Sequence, residues 1–353
     1  MDRARTNTSH QTDNEYQDYI LQGVSRTFAL TIPQLPSPLY QVVSNAYLLC
    51  RIADTIEDDK DIPHETKRQF ADQFIGVVAG SAPAEEFSKA LYSKLSISTS
   101  ADEKDLISHT PAVIRIAHSF NDRQRAALER CIRIMADGMA KYQEADVSRG
   151  LADMKDMDKY CYYVAGVVGE MLTELFCDYS SKIDQHHDKL MQLSRSFGQG
   201  LQMTNILKDI WDDQERNMCW LPAEIFQQYG ADLKNLSKDN SNQEFNLALG
   251  HLIGIARSHL ENALQYTLLI PKDETGSRRF CLWAIGMAVL TLNKINKHRD
   301  FNSGLEVKIT RRSVKATILA TNLLTRQDTL LMTLFKLTAL NLPKQALSSE
   351  FIQ

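Results

Sequence analysis

Arg51-Ile-Ala-Asp54-Thr-Ile-Glu57-Asp58-Asp59 is one of two aspartate-rich stretches that organise this chain. The second, just past the middle, is Asn205-Ile-Leu-Lys208-Asp209-Ile-Trp-Asp212-Asp213. Both lie in helical patterns and space carboxylates four apart, Asp54 with Asp58 and Asp209 with Asp213. Residues at that spacing stand one above the other on one helix face. Like charges so placed destabilise a bare helix by about 0.2–0.5 kcal/mol, so a neutralising partner is expected. Hard divalent cations such as Mg²⁺ take such oxygen ligands and complete their shell with water and substrate phosphate. The pair of motifs predicts a diphosphate clamped between two helices.

One acidic Asp-x-x-x-Asp on a helix is usually a solvated face. Here the flanks argue otherwise. Ala46 to Ala53 reads Ala-Tyr-Leu-Leu-Cys-Arg-Ile-Ala, and Phe197 to Leu207 is largely apolar or small. Carboxylates on apolar helices point to an internal cavity, which favours metal binding.

A chain of 353 residues can bury a large core. Its net charge of −4 gives no electrostatic case for nucleic acid. The six cysteines (50, 131, 161, 177, 219 and 281) form no Cys-x-x-Cys pair and no zinc spacing, which fits free thiols in a reducing compartment. Residues 1–14 are polar with no apolar h-region, so they are expected to form a disordered tail and not a signal peptide. No run reaches the roughly 18 apolar residues of a membrane span.

Helix signals dominate. They run over Glu15–Leu21, Leu39–Glu57, Arg123–Gln143, and residues 155–178, 185–213, 243–268, 278–297 and 311–340. Pro33, Pro36 and Pro38 break the chain early, and Pro63 opens the next helix. Residues 81–111 are mixed and carry the weakest pattern. Without repeats or linkers, residues 15–345 are expected to form a single all-α domain.

Asp158-Lys-Tyr160-Cys-Tyr-Tyr163-Val-Ala165-Gly166-Val-Val-Gly169 is the next informative segment. Each interior glycine costs a helix about 1 kcal/mol against alanine. Gly166 and Gly169 therefore imply close helix packing, or a smooth wall for a bulky apolar ligand. The tyrosines beside them are ordinary core residues, or phenols able to relay a proton or face a cation.

Together with Ser25-Arg26-Thr27-Phe28 and Gln202-Met-Thr-Asn205, these motifs resemble those of the squalene/phytoene synthase family, from about Gly23 to about Ala320. The resemblance implies an isoprenoid synthase helical bundle with a central cavity. It implies head-to-head joining of two farnesyl diphosphates with Mg²⁺, giving presqualene diphosphate, then NADPH-dependent reduction to squalene. Asp54, Glu57, Asp58, Asp209 and Asp213 are then expected to hold the Mg²⁺–diphosphate assembly. Arg26, Arg51, Gln202, Asn205 and Lys208 fall at diphosphate-contacting positions. Tyr160 falls at the catalytic tyrosine and Phe28 at a cation-stabilising aromatic.

One position departs from the family. Many relatives carry a basic residue four before the proline that follows the second motif, and here it is Met218, with Arg216 nearby. Farther on, Arg279-Phe280-Cys281 and Val307-Lys308-Ile-Thr-Arg311-Arg312 resemble the segments of squalene-forming members. Lys308, Arg311 and Arg312 are suited to NADPH phosphates. No Gly-x-Gly-x-x-Gly is present, so no Rossmann site is expected.

Residues 313–342 are interrupted by Lys315, Arg326, Asp328 and Lys336, and they fit a helix docked on the body or resting on a membrane surface. The expected location is cytoplasmic with room for peripheral membrane contact, and no obligate protein partner is evident. Two other readings stay open: an enzyme that stops at presqualene diphosphate or dehydrosqualene, and a non-catalytic isoprenoid-binding scaffold.

Overall fold

A computed structural model describes residues 12–25, 27–235 and 243–347. The outer residues 1–11 of the expected tail, and Arg26, lie outside the described residues. Among those described there is no β-strand, and one isolated bridge pairs Leu151 with Pro222.

The frame is α1 (Asp13–Val24), α2 (Ser37–Asp58), α3 (His64–Val78), α4 (Asp122–Glu144), α5 (Met154–Cys161), α6 (Val167–Tyr179), α7 (His187–Gln214), α8 (Gln243–Leu269), α9 (Thr275–Lys297), α10 (Arg311–Leu324) and α11 (Asp328–Thr338). Local chemistry sets several starts. Thr12 caps α1 and exchanges hydrogen bonds with Glu15, so the helix begins at Asp13, inside the polar stretch read as tail. Asn121 and Gln124 do the same for α4. Such caps stabilise a helix by about 1 kcal/mol each.

The weak stretch 81–111 folds into short helices, among them Ala84–Tyr92 and Ala101–Ser108, the second closed by a Ser100/Glu103 capping box. The single expected helix over 311–340 is two, α10 and α11, separated at residues 325–327.

At 28 residues α7 is the central helix. It packs on α8, on α6 and on α9. Around it lie two apolar cores, one built mainly from α2, α4 and α6, the other from α7, α8 and α9. Val164 and Phe197 touch both. All six cysteines are free and buried, as their apolar flanks suggest.

Candidate active site

Within the first of these cores lies a cavity of about 350 Å³. Phe28, Arg51, Asp54, Gln202 and Asn205 all line it, so residues far apart in sequence meet on one wall. Its inner end is apolar, formed by Phe176, Phe280, Cys281 and Tyr266. Phe28 enters from a short helix, Phe28–Thr31, whose first amides donate to Ser25 Oγ at 3.0 and 3.2 Å. Its ring lies 5.4 Å from that of Tyr47.

The last turn of α2 carries the first acidic motif and the last turns of α7 carry the second. Arg216, in the turn after α7, joins them. It ion-pairs with Asp213 and lies 3.6 Å from Asp58. Arg216, two residues before Met218, thus places one positive charge beside both acidic motifs. Lys208 Nζ lies 3.0 Å from Asp209. Arg51 is 3.9 Å from Asp54 and also pairs with Glu103, a partner from the 81–111 stretch that sequence reading missed. Asp59 differs in kind from its neighbours. It accepts from Ser96 N at 2.8 Å, Thr99 Oγ1 at 2.7 Å and Asp61 N at 3.0 Å, and so staples a loop.

The charges are out of balance. Desolvation pushes Asp54 up to about 7 against the pull of Arg51, with Asp58 adding repulsion. Desolvation pushes Glu57 up to about 8, with Asp58 and Asp54 adding to it. Asp213 rises to about 6, chiefly by desolvation and against Arg216. Asp209 rises for the same first reason, against Lys208. Crowded carboxylates that resist ionisation are short of positive charge, and a divalent cation would reverse those shifts. Among the described residues, no three His, Cys, Asp or Glu side chains converge to hold a metal unaided. The aspartates of the two motifs are hard oxygen donors of the kind that share Mg²⁺ with phosphate oxygens.

Tyr160 sits at the junction of the motifs. Its ring is buried, stacked on Trp220 with centroids 3.9 Å apart, and edge-on to Tyr142 at 5.2 Å. Its phenol is held well above the ordinary tyrosine range by desolvation, then by the negative charge of Glu57, Asp213 and Asp58. Trp220 and Tyr142 were not singled out in the sequence.

The segment after Tyr160 is not a plain α-helix. Residues Tyr162–Gly166 form a π-turn in which Val167 N–H donates to the Tyr162 carbonyl. Gly169 both packs closely and lines the cavity: a Cβ there would lie 2.1 Å from the Ser194 carbonyl oxygen. Gly198, opposite, would bring a Cβ 2.1 Å from the Ala165 carbonyl oxygen. Close packing and smooth wall are therefore the same feature.

Lys308, Arg311 and Arg312 are exposed and do not line the cavity. They follow the loop of Gly304, which sits against Asp209 and Asp212. Lys294 Nζ holds that segment by donating to the Lys308 carbonyl at 2.8 Å.

Comparison with known proteins agrees with this architecture. The family model described as squalene/phytoene synthase matches residues 21–313. Squalene synthase ERG9 of Saccharomyces cerevisiae is 31% identical over 295 residues, covering 82% of this chain and 63% of that protein. Squalene synthase of Solanum lycopersicum is 31% identical over 305 residues, covering 83% and 69%. The chain spans about 60% of the length of the yeast relatives it matches. In fold it is similar to TcSQS in complex with the ligand BPH1237, with TM-score 0.75, 24% identity and coverage of 96% and 95%. A dehydrosqualene synthase in complex with a ligand superposes with TM-score 0.64 at 21% identity, covering 87% and 94%. The chain belongs to the squalene/phytoene synthase family.

Proposed function

We propose that this chain is a squalene synthase, which condenses two farnesyl diphosphates to presqualene diphosphate and reduces that intermediate to squalene. The observation that supports the proposal is that Arg216 links Asp58 of the first motif to Asp213 of the second, while Asp54 of the first motif lines an otherwise largely apolar cavity. Mg²⁺, when bound there, supplies Lewis-acid stabilisation of a leaving diphosphate.

The chain's own residues do the rest. Arg216 and Lys208, which already balance carboxylates, are the cations poised to meet phosphate oxygens. Arg51 shares its charge with Glu103 and reaches a diphosphate by releasing it. Gln202 and Asn205 face the same space and orient the ligand. Arg26, at a diphosphate-contacting position by resemblance, belongs to the same proposed set. Val164, Ala165, Val168 and Phe197 exclude water, which would quench a carbocation. The Tyr160 phenol stays protonated between the two motifs and can pass its proton to a departing phosphate or relay one from the substrate. Phe28 and Tyr47 offer ring faces to positive charge within the cavity.

NADPH, when bound, supplies the hydride of the second half-reaction. Lys308, Arg311 and Arg312 are the proposed holders of its phosphates, supported by their exposure and by the contact of the Gly304 loop with the second motif. Product analysis by mass spectrometry tests the proposal, with farnesyl diphosphate and Mg²⁺ in the presence and absence of NADPH. Squalene formed only with NADPH is the expected result. Dehydrosqualene or presqualene diphosphate as the end product with NADPH present would overturn the reductive step.

A further inference from the structure

The C-terminal hairpin presents a face that the catalytic reading does not use. Helices α10 and α11 turn Thr321, Leu331, Phe335 and Ala339 inward. Both pack on α9. Outward, α10 exposes Leu319 and Leu323, four apart, and α11 exposes Leu330 and Leu337, seven apart on one helical face, with Leu340 exposed in the turn that follows. Leu305, in the loop before α10, is exposed as well, and these six leucines are 45% to 76% exposed. Among the described residues only five other large apolar side chains are exposed, namely Tyr19, Leu30, Tyr92, Ile97 and Leu247, so most of the exposed apolar bulk falls within residues 305–340.

The charge around this face is one-sided. Beyond the three cations proposed for NADPH, residues 313–347 carry Lys315, Arg326, Lys336 and Lys344 against a single acid, Asp328, in a chain whose net charge is −4. Asp328 is already neutralised by buried Arg278 and by Lys272, 3.2 Å away. An apolar helical face rimmed by Lys and Arg matches the interface of an anionic bilayer, with leucines at acyl-chain level and cations at the headgroups. A second copy of the chain would bring the same unbalanced positive charge against itself, which opposes self-association.

We propose that the outer face of the α10–α11 hairpin is a docking surface for an anionic lipid bilayer. The leucines insert and the basic rim selects membrane charge. No helix of the described residues is long and apolar enough to cross a membrane, so the hairpin lies on the bilayer and does not span it. The proposal is independent of the reaction catalysed, because its readout needs no turnover.

Co-sedimentation of the full chain with vesicles tests it, comparing phosphatidylcholine alone with phosphatidylcholine mixed with phosphatidylserine. The expected result is binding to the mixed vesicles only, weakened by salt within the screening range. A Leu319→Ser/Leu337→Ser variant should bind roughly tenfold more weakly or worse. A Lys315→Glu/Lys336→Glu variant should lose roughly 25-fold or more, since each basic residue near such a surface contributes about fivefold. Far-ultraviolet circular dichroism establishes that each variant is folded, and the charge variant leaves the apolar face intact. Equal binding to both vesicle types, or full binding in both folded variants, would overturn the proposal. So would a wild-type dimer that the leucine variant dissociates, with no vesicle binding in either.

Discussion

Tyr160 is held by ring contacts on two sides, so its hydroxyl can be removed with little change in packing. Tyr160→Phe should lower kcat by roughly 10²–10⁴-fold, the range for a positioned proton-transfer group, with melting temperature nearly unchanged. Single-turnover kinetics beside thermal melts separate the two effects. Asp158, two residues earlier, is buried with neither carboxyl oxygen bonded, and desolvation pushes it up to about 8. An unfolded aspartate titrates near 3.9, at roughly pH 4. Between those values the folded chain holds a proton that the unfolded chain releases. Its stability contribution is complete below about pH 4 and is lost as pH rises toward 8. Asp158→Asn should flatten the fall in melting temperature across that window, and parallel wild-type and variant profiles would contradict the assignment. The acidic pairs were legible from spacing and apolar flanks alone. Trp220 and Glu103 were not, because each acts through a contact across the fold and carries no local pattern.

The pairing of α6 with α7 rests on backbone approach. Gly169 faces the Ser194 carbonyl and Gly198 faces that of Ala165, each with no room for a methyl group. Gly169→Ala should therefore cost about 1–3 kcal/mol in chemical denaturation, by forcing the helices apart. It should also reduce turnover, because α6 forms part of the cavity wall. A variant as stable and active as wild type would show that the wall yields at no cost. Most long helices could be read from apolar spacing, since α2, α4, α7, α8 and α9 lie within a few residues of their expected bounds. The π-turn at Tyr162–Gly166 could not, because one inserted residue leaves the apolar pattern almost unchanged. Nor could the break between α10 and α11, where Thr325, Arg326 and Gln327 include neither glycine nor proline.

For the molecule as a whole, an all-α bundle with a central cavity was the expectation, and the described residues form that architecture. The cavity joins a polar end, with Arg51, Asp54, Gln202 and Asn205, to an apolar one, which suits a ligand with a polar head and an apolar tail. What sequence could not supply was depth. Phe176, Tyr266 and Phe280 close the inner end from three different helices, and only the packed fold brings them together. In the proposed function the two acidic helices act as one diphosphate clamp through a shared divalent cation. Calorimetric titration with inorganic diphosphate, with and without Mg²⁺, measures this directly in the wild type and in Asp54→Asn and Asp213→Asn. The account predicts Mg²⁺-dependent binding that either substitution weakens by roughly tenfold or more. Equal affinity without Mg²⁺, or binding that neither substitution changes, would contradict it.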